Sequence, residues 1–246
     1  MSNAFIYPDW PAPANIKAVM TTRHGGVSLP PFDGLNLGDH VDDDPKAVQT
    51  NRQQLAIDLS LPTQPAWLTQ VHGIAVADCK SAQSTDEADA IIGTNQNDVC
   101  AIMTADCLPV LFCNTQGTVI AAAHAGWRGL ASGVLETTIA NMKCDNKEIL
   151  VWMGAAIGPD AFEVGNEVRE KFVTQDPKSS GAFTRLSNEK WLADIYKLAR
   201  IRFSLVGIPK ENIYGGGRCT YKETTEFYSY RRESRTGRMA SLIWRT

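Results

Sequence analysis

The chain has 246 residues, 43% of them hydrophobic and 21% charged, a globular composition long enough to bury a sizeable core. A formal net charge of −3 argues against a nucleic-acid-binding protein, whose domain is usually clearly basic. No run approaches the ~18 consecutive apolar residues of a membrane span, and the N-terminus M-S-N-A-F-I-Y-P-D-W has no basic stretch followed by an apolar core, so no leader is read and a cytoplasmic protein is expected. Charge is uneven, with five Lys/Arg against thirteen Asp/Glu in residues 1–125 and nineteen against fourteen in 126–246; the second half could draw an anionic ligand, with a solvated surface the favoured reading for most of these charges. None of the six Cys (79, 100, 107, 113, 144 and 219) forms a C-x-x-C pair, and reduced thiols are expected. No linker, repeat or low-complexity stretch divides the chain, which reads as one domain over 1–246.

In chain order, residues 16–22 read as a strand. Arg23 to Asp44 form a long loop rich in Gly, Pro and Asp, a length of irregular chain that is usually functional or disordered. Asp44-Pro45 opens a helix with Val48, Leu55 and Leu59 at helical spacing. Ala66 to Val71 predicts a strand ending at His72-Gly73, with residues 74–79 as its partner. Asp89 to Ile92 and Val99 to Met103 are short strands. Residues 128–142 predict one helix with Leu130, Val134, Leu135, Ile139 and Met142 on a stripe. A strand over 148–153, helices over 165–173 and 191–206, and strands at 228–230 and 241–244 complete the pattern. Strands arriving both in hairpins and between helices indicate an α+β fold with mixed β-sheets.

The chemistry concentrates at a hairpin. Cys107 stands in T-A-D-C-L-P-V and His124 in A-H-A-G-W-R-G, with apolar runs between them joined at Asn114-Thr115-Gln116-Gly117. With Thr115 and Gln116 as the loop, residue 107 pairs with 124, on one face and with Cβ atoms about 4.5–5.5 Å apart. A thiolate and an imidazole at that distance suit a shared metal ion or a Cys–His catalytic pair. Of the four His (24, 40, 72 and 124), His72 and His124 end apolar strands and are read as functional, whereas His24 and His40 are read as filling polar turns. Arg231, Arg232, Arg235 and Arg238 crowd eight residues beside Tyr228 and Tyr230; a phosphate or nucleotide surface is one reading, and a solvated or salt-bridged strand edge is the favoured one.

The blocks T-T-R-H-G-G-V-S (21–28), L-N-L-G-D-H-V-D-D-D-P (35–45), Q-V-H-G (70–73), T-A-D-C-L-P-V (104–110), H-A-G-W-R-G (124–129), A-I-G-P (156–159), F-E-V-G (162–165) and S-Y-R-R-E-S-R-T-G-R-M-A (229–240) resemble those of the YfiH family, in order along essentially the whole chain. That family is also named polyphenol oxidoreductase or laccase-domain protein, and purine nucleoside phosphorylase. The resemblance implies β-sheets packed together and flanked by helices, an α/β/β/α arrangement resembling the cytotoxic necrotizing factor catalytic domain. It implies a metal, zinc with copper as an alternative, held by His72, Cys107 and His124. Three protein ligands leave a tetrahedral site open at one position, the pattern of a catalytic centre. Gly154-Ala155-Ala156 departs from the Gly-Pro-Ala of many relatives and touches none of these ligands.

The activity implied is phosphorolysis of adenosine, inosine or methylthioadenosine, with deamination of adenosine. Purine nucleosides and phosphate are therefore the expected partners, and a monomer is the expected state. The H-x-E…P-C-x-x-C signature of the nucleobase deaminases is absent. Arg23, followed by Gly25-Gly26, is the first candidate for a phosphate contact. Arg128 is a second candidate, near a helix N-terminus, with a surface role equally open. Asp106 would orient a His, act as a base or cap the turn. Two other readings stand beside this one. One is a cysteine hydrolase using Cys107 and His124, such as a peptidoglycan-editing factor. The other is a copper-dependent polyphenol oxidoreductase, disfavoured because four His without an H-x-H pair cannot build a multicopper cluster.

Overall fold

The computed structural model describes residues 4–246; residues 1–3, where the reading for a leader and the 1–246 domain began, lie outside it. The strands β1 (Phe5–Ile6) and β2 (Ile16–Thr21) precede the long loop, and α1 (Pro45–Asp58) follows it. Next come β3 (Val76–Asp78), β4 (Ala90–Gly93), β5 (Val99–Thr104), β6 (Leu108–Asn114) and β7 (Ile120–Ala125). The helices α2 (Trp127–Ser132) and α3 (Val134–Met142) lead to β8 (Ile149–Met153), β9 (Glu163–Gly165) and α4 (Asn166–Val173). The chain continues through β10 (Phe183–Arg185), β11 (Lys190–Ala193), α5 (Ile195–Leu205) and β12 (Ile213–Gly215), then α6 (Tyr230–Glu233) and β13 (Met239–Arg245).

Two sheets carry the fold. A six-stranded sheet runs β12-β8-β6-β7-β4-β3, and a four-stranded sheet runs β1-β2-β13-β5. A small sheet, β10-β11-β9, lies apart from them. Both large sheets are buried on two faces, so their strands read as continuous apolar runs. Ile91, Leu111, Ile120 and Trp152 meet Met20, Ile102 and Ile243 between the sheets. The opposite face of the six-stranded sheet, with Val110, Phe112 and Ala123, packs on Leu130, Leu135, Ile139 and Phe203 of the helices. The far face of the four-stranded sheet, with Val19, Ala101 and Leu242, packs on Leu55 of α1. Helix, sheet, sheet and helix therefore stack as the α+β, α/β/β/α reading anticipates. Among the described residues no helix is long and apolar enough to cross a membrane.

Several local expectations are corrected. Residues 66–71 form no strand beyond a Thr69–Glu87 bridge, and β3 pairs in parallel with β4. The segment is instead pinned by the Gln70 side chain, which donates to Met103 O at 2.8 Å and accepts from Met103 N at 2.7 Å. The helix expected over 128–142 is broken at Gly133, whose φ of 102° is left-handed. The helix expected from Trp191 starts only at Ile195, because Asp194 caps it by accepting from Lys197 N and the preceding residues pair with β9 and β10. Tyr228–Tyr230 is not a strand, since Ser229 caps the short α6.

The hairpin register also differs. Pro109, not Cys107, stands opposite His124. Asn114 closes a wider loop, its Oδ1 accepting from Thr118 N (2.8 Å) and Val119 N (3.2 Å). A slip of two residues keeps side-chain parity, so Cys107 and His124 still share a face.

Phe112 sits fully buried at the centre of β6, edge-on to Phe203 at 6.1 Å. Phe112→Ala should cost about 3–5 kcal/mol of stability in denaturant unfolding, the range for removing a core aromatic. A loss below about 1 kcal/mol would contradict this packing.

Candidate metal centre

Three elements of different origin converge. His124 ends β7, Cys107 precedes β6, and His72 sits on the pinned turn with a left-handed φ of 61°. Their ligand atoms all lie within 4.8 Å of one another, with Cys107 Sγ 3.8 Å from His72 Nε2. The two imidazole rings stand edge to face, 4.7 Å between centroids. Gly126 continues the hairpin register opposite Cys107; a Cβ there would lie 2.6 Å from His72 Cδ2 and 3.0 Å from Cys107 Sγ. Gly129 lets α2 approach the turn, since its Cβ would meet Gly73 O at 2.8 Å.

One carboxylate organises the group. Asp89 is fully buried just before β4, and the β4–β7 register carries it opposite His124. Its Oδ1 accepts from His124 Nδ1 at 2.8 Å, which leaves Nε2 of that ring for a metal. The same carboxylate accepts from the backbone N–H groups of Val71 (3.2 Å), His72 (2.9 Å) and Gly73 (2.6 Å). It thereby holds both the His124 ring and the strained turn that presents His72. Burial opposes the Asp89 charge, but the His124 contact and the N–H donors outweigh it and keep the carboxyl below its ordinary value.

The donor set fits zinc. Bond lengths of ~2.3 Å to sulfur and ~2.0–2.1 Å to nitrogen space tetrahedral ligand atoms about 3.3–3.6 Å apart, close to the 3.8 Å contact. Burial disfavours the Cys107 thiolate, yet the two imidazoles pull its pKa down to about 6. Burial also works against a charged His124, but Cys107 and Asp89 raise it to about 9. Each charge favours the other: the imidazoles favour the thiolate, and the thiolate with Asp89 favours the imidazolium.

The other residues named from the sequence are placed as follows. Asp106 (φ 92°) spends its carboxylate on Thr220 Oγ1 (2.6 Å), Ser229 Oγ (3.0 Å) and Arg231 N (2.7 Å), tying the segment at Thr220 and the start of α6 to the turn before Cys107. Arg128 lines the cleft around Cys107, stacked over Trp127 at 4.4 Å. Arg23 lines a different cavity, held by Asp33 (3.3 Å) and stacked over Tyr228 at 4.8 Å. His24 bonds Glu226 at 3.1 Å, in keeping with a polar-turn role. His40, by contrast, lines the cleft, as do Tyr230 and Arg238 of the basic cluster read from sequence as a strand edge. The signal missed for Asp89 was an acidic residue opening a wholly apolar strand.

Residues 17–246 match the family model described as "Multi-copper polyphenol oxidoreductase laccase". The Pseudomonas aeruginosa protein named purine nucleoside phosphorylase PA4543 is 54% identical, over 98% of each chain. The purine nucleoside phosphorylase YfiH of Escherichia coli is 54% identical over 97% of this chain and 98% of its own. The chain belongs to the YfiH family. Among solved structures, Neisseria meningitidis protein NMB0706 superposes on this YfiH-family chain with a TM-score of 0.94 at 48% identity, covering 99% of both. YlmD from Geobacillus stearothermophilus does so with a TM-score of 0.89 at 30% identity, covering 100% of this chain and 97% of that one.

Two outcomes test the centre. In metal-free protein, alkylation of Cys107 by iodoacetamide should titrate near pH 6, slowing as pH falls through that value because the thiolate is the reacting form. A midpoint near the ordinary ~8.5 would contradict the thiolate–imidazolium pair. Asp89→Asn should weaken metal binding about 10–100-fold in a chelator competition, the usual cost of losing the partner of a ligating His; unchanged affinity would remove Asp89 from its organising role.

Proposed function

We propose that the chain is a zinc-dependent purine nucleoside phosphorylase that also deaminates adenosine. The observation that carries this reading is the convergence of His72, Cys107 and His124 at the wall of a cleft, in a chain 54% identical to proteins named purine nucleoside phosphorylases. The three residues would hold one divalent ion, zinc by the softness of thiolate and imidazole, with copper allowed by the same donors. Such an ion supplies Lewis acidity and an open coordination position. Asp89 fixes the His124 tautomer and the His72 turn. Asp106 acts as a positioning residue, fixing the backbone from which Cys107 projects.

In phosphorolysis a phosphate oxygen bonds to C1′ as the C1′–N9 bond breaks. The bonding pair leaves with the purine, which takes up a proton from the open cleft. Inosine, adenosine and methylthioadenosine share that bond. A cleft of about 430 Å³ beside the ligands falls within the ~300–1,000 Å³ typical of small-molecule sites.

A second reading has its own observation. Cys107, His124 and Asp89 are ordered as nucleophile, base and orienting carboxylate, the arrangement of a cysteine hydrolase, including one acting on a cell-wall peptide. Metal content separates the two, because a thiolate bound to zinc is a poor nucleophile. A multicopper oxidase has less support. Among the described residues one group of His, Cys, Asp or Glu converges on a metal position, while His24 and His40 lie with Glu226 and Asp39.

Purified protein should carry about one zinc per chain, and Cys107→Ser should lose most of it. With phosphate, inosine should yield hypoxanthine and ribose 1-phosphate, and adenosine should slowly yield inosine. Base release that ignores phosphate would make the protein a hydrolase. No base release from any purine nucleoside, together with zinc-free protein, would put the cysteine-hydrolase reading first.

A further inference from the structure

The cleft has two chambers with part of their lining in common. Both are lined by His72, Ala105, Cys107, Arg128 and Tyr230. The smaller, about 220 Å³, adds the apolar and aromatic Trp127, Ile157, Phe162 and Ile195, with Asp106 and Arg231 at its edge. The larger, about 430 Å³, adds His40, Gln70, Met103, Thr104, His124 and Arg238, so that a second arginine stands there with Arg128.

Two features of the larger chamber are incompletely partnered. Thr104 is 2% exposed, and its hydroxyl is buried with no hydrogen bond among the described residues. A hydroxyl left so costs about 1–3 kcal/mol, a penalty that a ligand oxygen would relieve. Arg238 is half-buried; its guanidinium lies over the Tyr230 ring at 5.8 Å, and its side-chain hydrogen bonds run from Nη1 to the carbonyls of Thr236 (2.9 Å) and Gly237 (3.1 Å). Among the described residues no carboxylate pairs with it, whereas Arg23, Arg52, Arg202 and Arg218 each have one. Arg128 too has no carboxylate, only its stack on Trp127.

The long loop builds this chamber. Asn36 Oδ1 accepts from Arg238 N at 2.8 Å, and Leu37 N donates to Arg238 O at 3.1 Å. Gly38 leaves room for the arginine stem, since a Cβ there would meet Arg238 Cγ at 2.7 Å. The buried Asn51 of α1 holds the loop through Ser28 Oγ (3.0 Å) and Asn36 O (2.8 Å). His40 is carried to the chamber on the same loop. Fixed cations and a fixed buried donor suit a tetrahedral oxyanion, for which guanidinium offers paired N–H groups.

We infer that the larger chamber is the phosphate subsite, made by Arg238, Arg128 and the Thr104 hydroxyl, and that the smaller chamber takes the purine between Phe162 and Trp127. This rests on the phosphorylase reading. The division follows the reaction: phosphate approaches C1′ from one side while the base departs on the other. The ribose then lies across the shared wall, beside Cys107 and His72. Arg23, in its own cavity with Asp33 paired to it, is outside this subsite.

The experiment uses metal-loaded protein and two readouts, inorganic phosphate binding by calorimetry and inosine phosphorolysis. Arg238→Gln and Thr104→Val should each raise the phosphate Kd and the phosphate KM at least tenfold, with the inosine KM within about twofold of wild type. Phe162→Ala should do the converse. Arg23→Ala should leave phosphate binding as in wild type. Wild-type phosphate affinity in Arg238→Gln and Thr104→Val, both shown folded by thermal unfolding, would overturn the assignment. Calorimetric binding of a nucleoside 5′-phosphate in the absence of any binding of inorganic phosphate would overturn it as well, giving the chamber to a nucleotide. If wild-type protein shows no phosphate-dependent base release, the phosphorylase reading fails, and direct phosphate binding still decides whether the chamber is an oxyanion site.

Discussion

The site depends on one buried carboxylate. Asp89 accepts from the His124 ring and from three consecutive N–H groups of the turn that presents His72. A fully buried charge is tolerated only when paired and hydrogen-bonded, and here the pairing itself does structural work. It joins the end of one sheet to a loop that would otherwise have no regular structure. His72 has a left-handed backbone that a non-glycine residue adopts at a cost, and the three donated hydrogen bonds are what offset it. Remove the carboxylate and two of the three ligands lose their orientation at once.

The surrounding layers explain why the group can be rigid and still open. Each large sheet is covered on both faces, so β6 and β7 cannot shift without disturbing packed apolar side chains on two sides. At their ends the face between the sheets opens, and Cys107 and His124 stand there. Close approach is secured by small residues: Gly126 beside the ligands and Gly129 beneath the His72 turn. The 23–44 loop closes the other side through Asn51, Asn36 and Ser28, which satisfy each other and bring His40 and the Arg238 backbone to the cleft.

Much of this was legible in the sequence, and the failures have physical reasons. The central strands of the two sheets are apolar runs bounded by turn residues, and their existence was read correctly, whereas the short edge strands β1 and β12 were not read at all. The register of the hairpin was not, because Asn114 uses its side chain to build a longer loop than Asn-x-x-Gly suggests. Parity survived the error, so Cys107 and His124 still met. Trp191 and Leu192 fit a helical stripe as well as a strand, and only the capping Asp194 separates the two. Asp89 was passed over because a partner 35 residues further along the chain has no local signature. Arg238 was passed over because a cluster of arginines on a polar segment reads as surface until a buried wall is seen beside it.

The central claim is that Asp89 commits His124 to bind a metal through Nε2, sharing it with His72 and Cys107. Heteronuclear NMR of protein loaded with cadmium-113 and labelled with nitrogen-15 reads this directly. The account predicts metal–nitrogen couplings to Nε2 of both His124 and His72, a cadmium shift typical of one thiolate with nitrogen donors, and a retained proton on His124 Nδ1. Coupling through Nδ1 of His124, or no coupling to His72, would contradict it.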